Sequence, residues 1–488
     1  MTTPDDALTP GPDEEPGDGG SGLPPELERV LRGLTGGAPI DPRLAEMVQS
    51  MGLGDVDPQM VAAVAQQVQA MLAAPEEDGP IALALATDIA RKAVAAQGDT
   101  LASARDRSQA AEAVDVAGLW LDPVTDLSAP ALHGVAWSAA EWVEATMPVW
   151  AELVEPVAAG VGTAIGTAMR SQLARLGDEE VDWTALGVPE GLVPPGVNPA
   201  QMMGQLEPMM RRMSSSMFSL QVGQGVGALA GEVLTGCEVS LPIVPQPTVA
   251  LLPSAVAAFA EGLEIDLAQV RLYLAVREVA RARLFAAVPW LGPQLLAAVR
   301  DYARDISIDT DSIEQALGSV DPTDIERVQE ALQDRLFHPE PSRAQQAALA
   351  RLETLLALVE GWVDVVTVRA STPHLPQVEA LGEAVRRRRA SGGPAERTFE
   401  GLVGLQLRPR RLRDAANLFS ALEAEGGPAA RDAAWAHPDV APGPGDLDDP
   451  LGYVERSRSG GDPMDAELAA LLDEPPHGAP GAGGAGPA

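Results

Sequence analysis

Residues Asp266–Trp290 read DLAQVRLYLAVREVARARLFAAVPW, and the spacing predicts one long helix. Asp266 is suited to cap its first turn, and Gln269 three residues on completes a capping-box pattern. Leu267, Val270, Leu274 and Leu284 recur at intervals that turn them toward a core. Pro289 closes the element. At its centre stand Arg277, Glu278 and Arg281, in the order R-E-V-A-R. Taken alone, that pattern describes a solvated or salt-bridged helix face.

Composition bounds the function around this helix. The chain has 488 residues and a formal net charge of −36, with 46% hydrophobic residues of which many are alanine. Such a chain can bury a sizeable core, one built from small side chains and close helix packing. Its acidity argues against a nucleic-acid partner, because phosphate binding needs a basic surface. Cys237 is the sole cysteine, so no intrachain disulfide forms, as in a reducing compartment. The first residues, MTTPDDALTPGPDEEPGDGG, carry neither a basic nor an apolar signal region. The apolar run Pro156–Met169 falls short of the roughly 18 residues needed to span a bilayer. These features lead to the expectation of a cytoplasmic protein without a membrane span.

Along the chain, residues 1–23 are acidic and Gly/Pro-rich, and are expected to be disordered. Residues 24–110 read as a helical appendage, with amphipathic stretches at Asp41–Met51, Pro58–Leu72 and Ile81–Gln97. Trp137, Trp142 and Trp150 read as core anchors. Ser138 and Glu141 form a capping box, and Pro148 is expected to kink or restart its helix. The Met-rich stretch Met202–Met217 reads as core. Gly223, Gly227 and Gly231 lie four apart, which would let two helix backbones meet closely. EVSL at Glu238–Leu241 and TVALL from Thr248 are the strand candidates. Ser342–Arg369 is a second long helix, with Leu349, Leu352, Leu356, Val359, Val363 and Val366 as its buried seam. The run Arg386–Arg389 reads as a solvated helix end, and Glu400–Leu422 as a last helix. From Ala441 the composition predicts a structureless tail.

Several of these stretches together resemble one family. LYLAVREVARARLFAAVPWL, TVALLPSAVAAFAEGLEID, LVEGWVDVV and GLQLRPRRLRDAANLF…WAHPD are similar, in the same order, to the type 2 zincin-like family. These are zinc-dependent metallopeptidases of actinobacteria, some of them labelled as associated with deazaflavin-coenzyme biosynthesis. The resemblance spans about Ala111 to Tyr453. It implies a mainly α fold with a small β-sheet (α+β) and a zincin-like core over residues 111–440, to which the composition adds the helical appendage and the disordered acidic tails. It also implies that the strand at Val249–Leu252 is the edge strand that holds an extended substrate.

Zincins carry H-E-x-x-H on the active helix. Two histidines one turn apart bind zinc, and the glutamate activates the metal-bound water. Here Arg277 and Arg281 take the two histidine positions. The resemblance makes Glu278 the counterpart of the general base, Glu360 the third ligand position and Asp364 a neighbour that would orient it. A guanidinium has no lone pair to offer a metal, so no metal and no cofactor is expected, although intact relatives would hold zinc. Histidines 133, 338, 374, 437 and 477 lack the spacing to replace the missing pair. Either Arg277 and Arg281 supply the lost positive charge and pair with Glu360, Asp364 and Glu278, or both point to solvent beside an eroded site.

Three functions follow as expectations. The first is a pseudo-peptidase, with Glu278 vestigial, that binds a peptide or protein in the cleft. The second is an active zinc hydrolase with unrecognised ligands. The third is an interaction protein acting through its tails.

Overall fold

The computed structural model describes residues 79–128, 131–176, 199–304, 342–390, 394–405 and 411–459. The readings of residues 1–23, Asp41–Met51, Pro58–Leu72 and the far tail beyond residue 459 lie outside them. The described chain is mainly helical with one small sheet.

The opening stretch forms the helix Leu267–Ala287, called α6 here in chain order. Asp266 caps it through the Ala268 N–H at 2.9 Å. The capping box is not completed, since Gln269 Oε1 has no hydrogen-bond partner. Val270, Leu274 and Leu284 are buried as the spacing predicts, whereas Leu267 is 40% exposed at the first turn. Every residue from Tyr273 to Ala282 is buried. The helix has no solvated face along its middle, and R-E-V-A-R lies inside the protein.

The neighbours that bury it are α2 (Ala104–Leu121), α5 (Pro253–Glu261), α8 (Arg343–Ser371) and α9 (Val378–Ala390). The second long helix is thus α8, started by a capping box between Ser342 and Gln345. Leu352, Val359, Val363 and Val366 are buried along its seam, and Leu349 and Leu356 pack partly buried beside them.

A second group of helices comprises α1 (Leu83–Ala96), α3 (Ala139–Leu176) and α4 (Pro199–Ala230). The glycine face on α4 meets α1. A Cβ at Gly223 would lie 2.6 Å from the Ala86 carbonyl oxygen, and one at Gly227 would lie 2.8 Å from Ala93 Cβ. Backbone therefore rests on backbone there, and Ala86, Ala90 and Val94 are buried in the same core. Helix α3 runs through Pro148 and Pro156 without a break. Trp142, Val143, Met147, Trp150, Leu153 and Val154 anchor it on both sides of the first proline, and that burial outweighs the lost hydrogen bond. Trp137 is only partly buried. Met213 and Met217 are 46% and 39% exposed, against the reading of a methionine core.

The sheet has two named strands. β1 (His133–Ala136) and β2 (Thr248–Leu251) are parallel, with His133 opposite Thr248 and Ala136 opposite Leu251. β1 is an element the sequence reading did not find. The strand at β2 is present, but its expected role as a free edge is corrected. Its other side pairs with Thr235 in antiparallel sense: the Gly236 N–H donates to Ala250 at 2.9 Å and the Leu252 N–H to Leu234 at 3.0 Å. Glu238–Leu241 is a turn and not a strand.

The segment read as one last helix is two, α10 (Pro394–Val403) and α11 (Leu412–Ala433). Where a structureless tail was expected, α12 (Pro444–Asp448) and α13 (Pro450–Ser459) follow. Buried Leu447 and Tyr453 hold them to the core. Among the described residues no single helix is long and apolar enough to cross a membrane.

Candidate functional site

Helices α6 and α8 pass each other with charged side chains between them. Arg277 and Arg281 are one turn apart on α6, and Glu360 and Asp364 one turn apart on α8, so the two pairs face each other in register. Arg277 Nη2 donates to Glu360 Oε2 at 2.8 Å, and its Nη1 to Asp364 Oδ1 at 2.9 Å. Arg281 Nη2 donates to Glu360 Oε1 at 2.9 Å, and its Nη1 to Glu278 Oε2. All five side chains are nearly or wholly removed from solvent. The structure thus brings together every residue that the sequence singled out, and both arginines point inward.

Glu278 is saturated. Besides Arg281, it accepts from the Thr235 hydroxyl at 2.8 Å and from the Cys237 N–H at 2.6 Å. Both donors come from the segment that pairs with β2, so the sheet fixes the carboxylate from above. Cys237 lies buried beside it. Burial, with the Glu278 charge added, pushes its thiol up to about 12.

Glu360 receives a further hydroxyl from Ser240. Ser240 adopts φ 63, a left-handed conformation that costs an L-residue about 1–2 kcal/mol. From this conformation its hydroxyl reaches the Glu360 carboxylate. Burial would raise the Glu360 pKa, but Arg389, Arg281 and Arg277 outweigh it and hold the group well below the usual carboxylate range. Burial likewise works against the charge on Arg277 and Arg281. Their carboxylate partners overcome it, and both stay above the ordinary arginine value.

The run Arg386–Arg389 was read as a solvated helix end, and the structure corrects this for three of the four. They lie at the end of α9 and fold back over the site. Arg389 Nη2 lies 3.0 Å from Glu360 Oε1 and donates to the Glu238 carbonyl at 2.6 Å. Arg386 Nη1 pairs with Asp364 Oδ2 at 3.2 Å, and Arg388 Nε with Glu238 Oε1 at 3.1 Å. Arg387 alone stays at the surface, on Glu383. For Arg389 burial prevails over the attraction of Glu360, and its pKa is lowered. No hydrophobic periodicity marks such a run as inward-facing. The only signal was complementary acid at Glu238 and Glu360, which are distant in sequence.

A narrow cleft, part of it open to solvent and with room for little more than a water molecule, opens on this cluster. Leu234, Leu274 and Val385 are its apolar lining, and Arg277, Arg281, Arg389, Glu238 and Thr235 its polar lining. Behind the cluster, the far face of α8 is braced. Trp362 Nε1 donates to Asp432 Oδ1 at 2.8 Å. The same carboxylate accepts from the Thr125 hydroxyl at 2.6 Å and pairs with the fully buried Arg431 at 2.8 Å.

Among the described residues no group of three His, Cys, Asp or Glu side chains is placed to hold a metal ion. His133 lies in β1, His374 stacks on Trp120 at 4.2 Å, and His437 sits exposed by Asp439. None of the three is bonded to the cluster. His338 and His477 lie outside the described residues.

The profile of the zincin-like metallopeptidases matches residues 81–454, so the chain belongs to that family. The match begins at the first core helix, α1, and ends in α13. No curated protein matches the chain. Among solved structures it is similar to a presumed hydrolase with a novel fold from Chloroflexus aurantiacus, at 18% identity and a TM-score of 0.49, covering 78% of this chain and 100% of that one.

Proposed function

We propose that this chain is a non-catalytic member of its family, a pseudo-peptidase that binds a peptide or protein group in the cleft. In this reading Arg277 and Arg281 stand at the two positions where the family motif calls for imidazole ligands. Glu360 is the third position, Asp364 its neighbour, and Glu278 the former general base.

The observation that carries the reading is the pairing of both guanidiniums with those carboxylates. Zinc does not fit this donor set. A guanidinium is a permanent cation without a free lone pair, and the carboxylates that remain are already neutralised by it. Two guanidiniums also bring the formal charge of one divalent cation, and Arg386 and Arg389 add their charge beside Asp364 and Glu360. Glu278 is held by three donors and has little freedom to accept a proton from water.

Elemental analysis of the purified protein tests this directly. It should contain no stoichiometric zinc, and Glu278→Gln should leave any trace of peptide cleavage unchanged. Stoichiometric zinc, or cleavage lost in that variant, would overturn the proposal.

A further inference from the structure

The cleft has room for little more than a water molecule, so a peptide group cannot enter it in this form. Part of its lining has to move. Three elements supply that lining. Leu274, Arg277 and Arg281 belong to α6, which is buried along its whole middle. Leu234 and Thr235 belong to the segment tied to β2 by backbone hydrogen bonds. Val385 and Arg389, one turn apart, belong to α9.

Helix α9 is held differently at its two ends. Val378 and Leu381 bury its first two turns in one apolar cluster with Val270 and Tyr273 of α6. Beyond Val385 its last turn is fastened by charge. Arg386 reaches Asp364, Arg388 reaches Glu238 and Arg389 reaches Glu360, and all three arginines stay partly exposed. Ion pairs that keep contact with water hold weakly. Arg389 also has to share Glu360 with Arg277 and Arg281, whose like charge opposes it. The closed position of this end is therefore resisted from within. The outer side of α9, with Glu379, Ala380 and Arg387, is exposed, so lifting carries it toward solvent.

From this we infer that α9 is a lid: its Arg386–Arg389 end lifts off the cluster about the buried Val378–Leu381 end, and the lifted form admits a ligand to the cleft. The inference rests on the cleft-binding reading above and adds the motion that reading requires.

A thiol placed in the lining tests it on the full chain without a ligand. Leu274→Cys supplies the thiol. The native Cys237 is buried and does not line the cleft, so in the same molecule it reports unfolding of the whole chain. N-ethylmaleimide is larger than a water molecule and can reach position 274 only when the lid is raised. Peptide mass spectrometry follows both thiols. The introduced cysteine should react about tenfold faster than Cys237, or more, because a local opening costs less than global unfolding. Adding Arg388→Gln should speed its reaction about two- to fivefold, the shift that loss of one partly exposed ion pair brings. Arg387→Gln, whose partner Glu383 lies on α9 itself, should leave it unchanged. Leu234→Cys, at another lining position, repeats the measurement should Leu274→Cys fold poorly. Reaction of the introduced thiol no faster than Cys237 would sink the lid, and so would an Arg388→Gln effect no larger than that of Arg387→Gln. Zinc content, measured on the parent protein, decides the pseudo-peptidase reading independently.

Discussion

Arg277 reaches Glu360 at 2.8 Å and ties α6 to α8 through the middle of the core. The two side chains are 5% and 2% exposed, so neither can regain water if the other is removed. A buried pair of this kind contributes less to net stability than its geometry suggests, but breaking it from one side is costly.

Glu360→Gln should therefore destabilise the protein by about 3–5 kcal/mol, because three guanidiniums lose their shared charge. Urea unfolding of the variant beside the parent measures this. A loss under about 1 kcal/mol, the scale of a surface pair, would mean that the cluster is hydrated.

Acid should weaken the fold through the same residue. The Glu360 pKa is depressed in the folded state below its ordinary 4.5. Its contribution is therefore complete above that pH and is lost as pH falls below it, because the unfolded chain takes up the proton first. The stability of the parent should drop on acidification below about pH 4.5, and Glu360→Gln should show a shallower fall over the same range. Equal slopes would reassign the acid sensitivity to other carboxylates.

Cys237 should be chemically silent while the protein is folded. Its thiol is buried and pushed up to about 12, and the thiolate is the reactive form. Iodoacetamide at about pH 8 should leave it unmodified in the native protein and label it fully in denaturant. Mass spectrometry reads both states.

Gly227→Val should prise α1 from α4. The added Cβ alone would fall 2.8 Å from Ala93 Cβ and 3.0 Å from the Ala90 oxygen, which is helix backbone. Overpacking of this sort costs about 1–3 kcal/mol. Gly401→Val, where a Cβ meets nothing within 4 Å, is the control. If both variants melt alike, the close approach is not a constraint.

If Arg277 and Arg281 hold the family's imidazole positions, replacing both with histidine should create a metal site with Glu360. The double variant Arg277→His, Arg281→His should then gain zinc and show a zinc-dependent rise in Tm, where the parent shows neither. No gain in the well-folded double variant would count against that equivalence.

Much of this was legible in the sequence because periodicity reports burial. The spacing of Val270, Leu274 and Leu284 fixed α6, and that of Leu352, Val359, Val363 and Val366 fixed α8. The glycines at 223, 227 and 231 announced a close helix contact, though not with which partner. Arginine runs carry no such periodicity. Arg386, Arg388 and Arg389 read as solvated because their partners, Glu238, Glu360 and Asp364, come from other elements. His133–Ala136 escaped notice because a four-residue strand holds too few alternations to stand out. Pro148 misled because a local rule was overridden by the burial of Trp142 and Trp150.

The clasp of Trp362 on Asp432 bears on which substitutions the opposite face of the helix can accept. It locks the rotational phase of α8 from the rear, so the acids at its front keep their bearing whatever stands opposite them. A frame indexed from behind tolerates a change of side chain in front without having to be rebuilt.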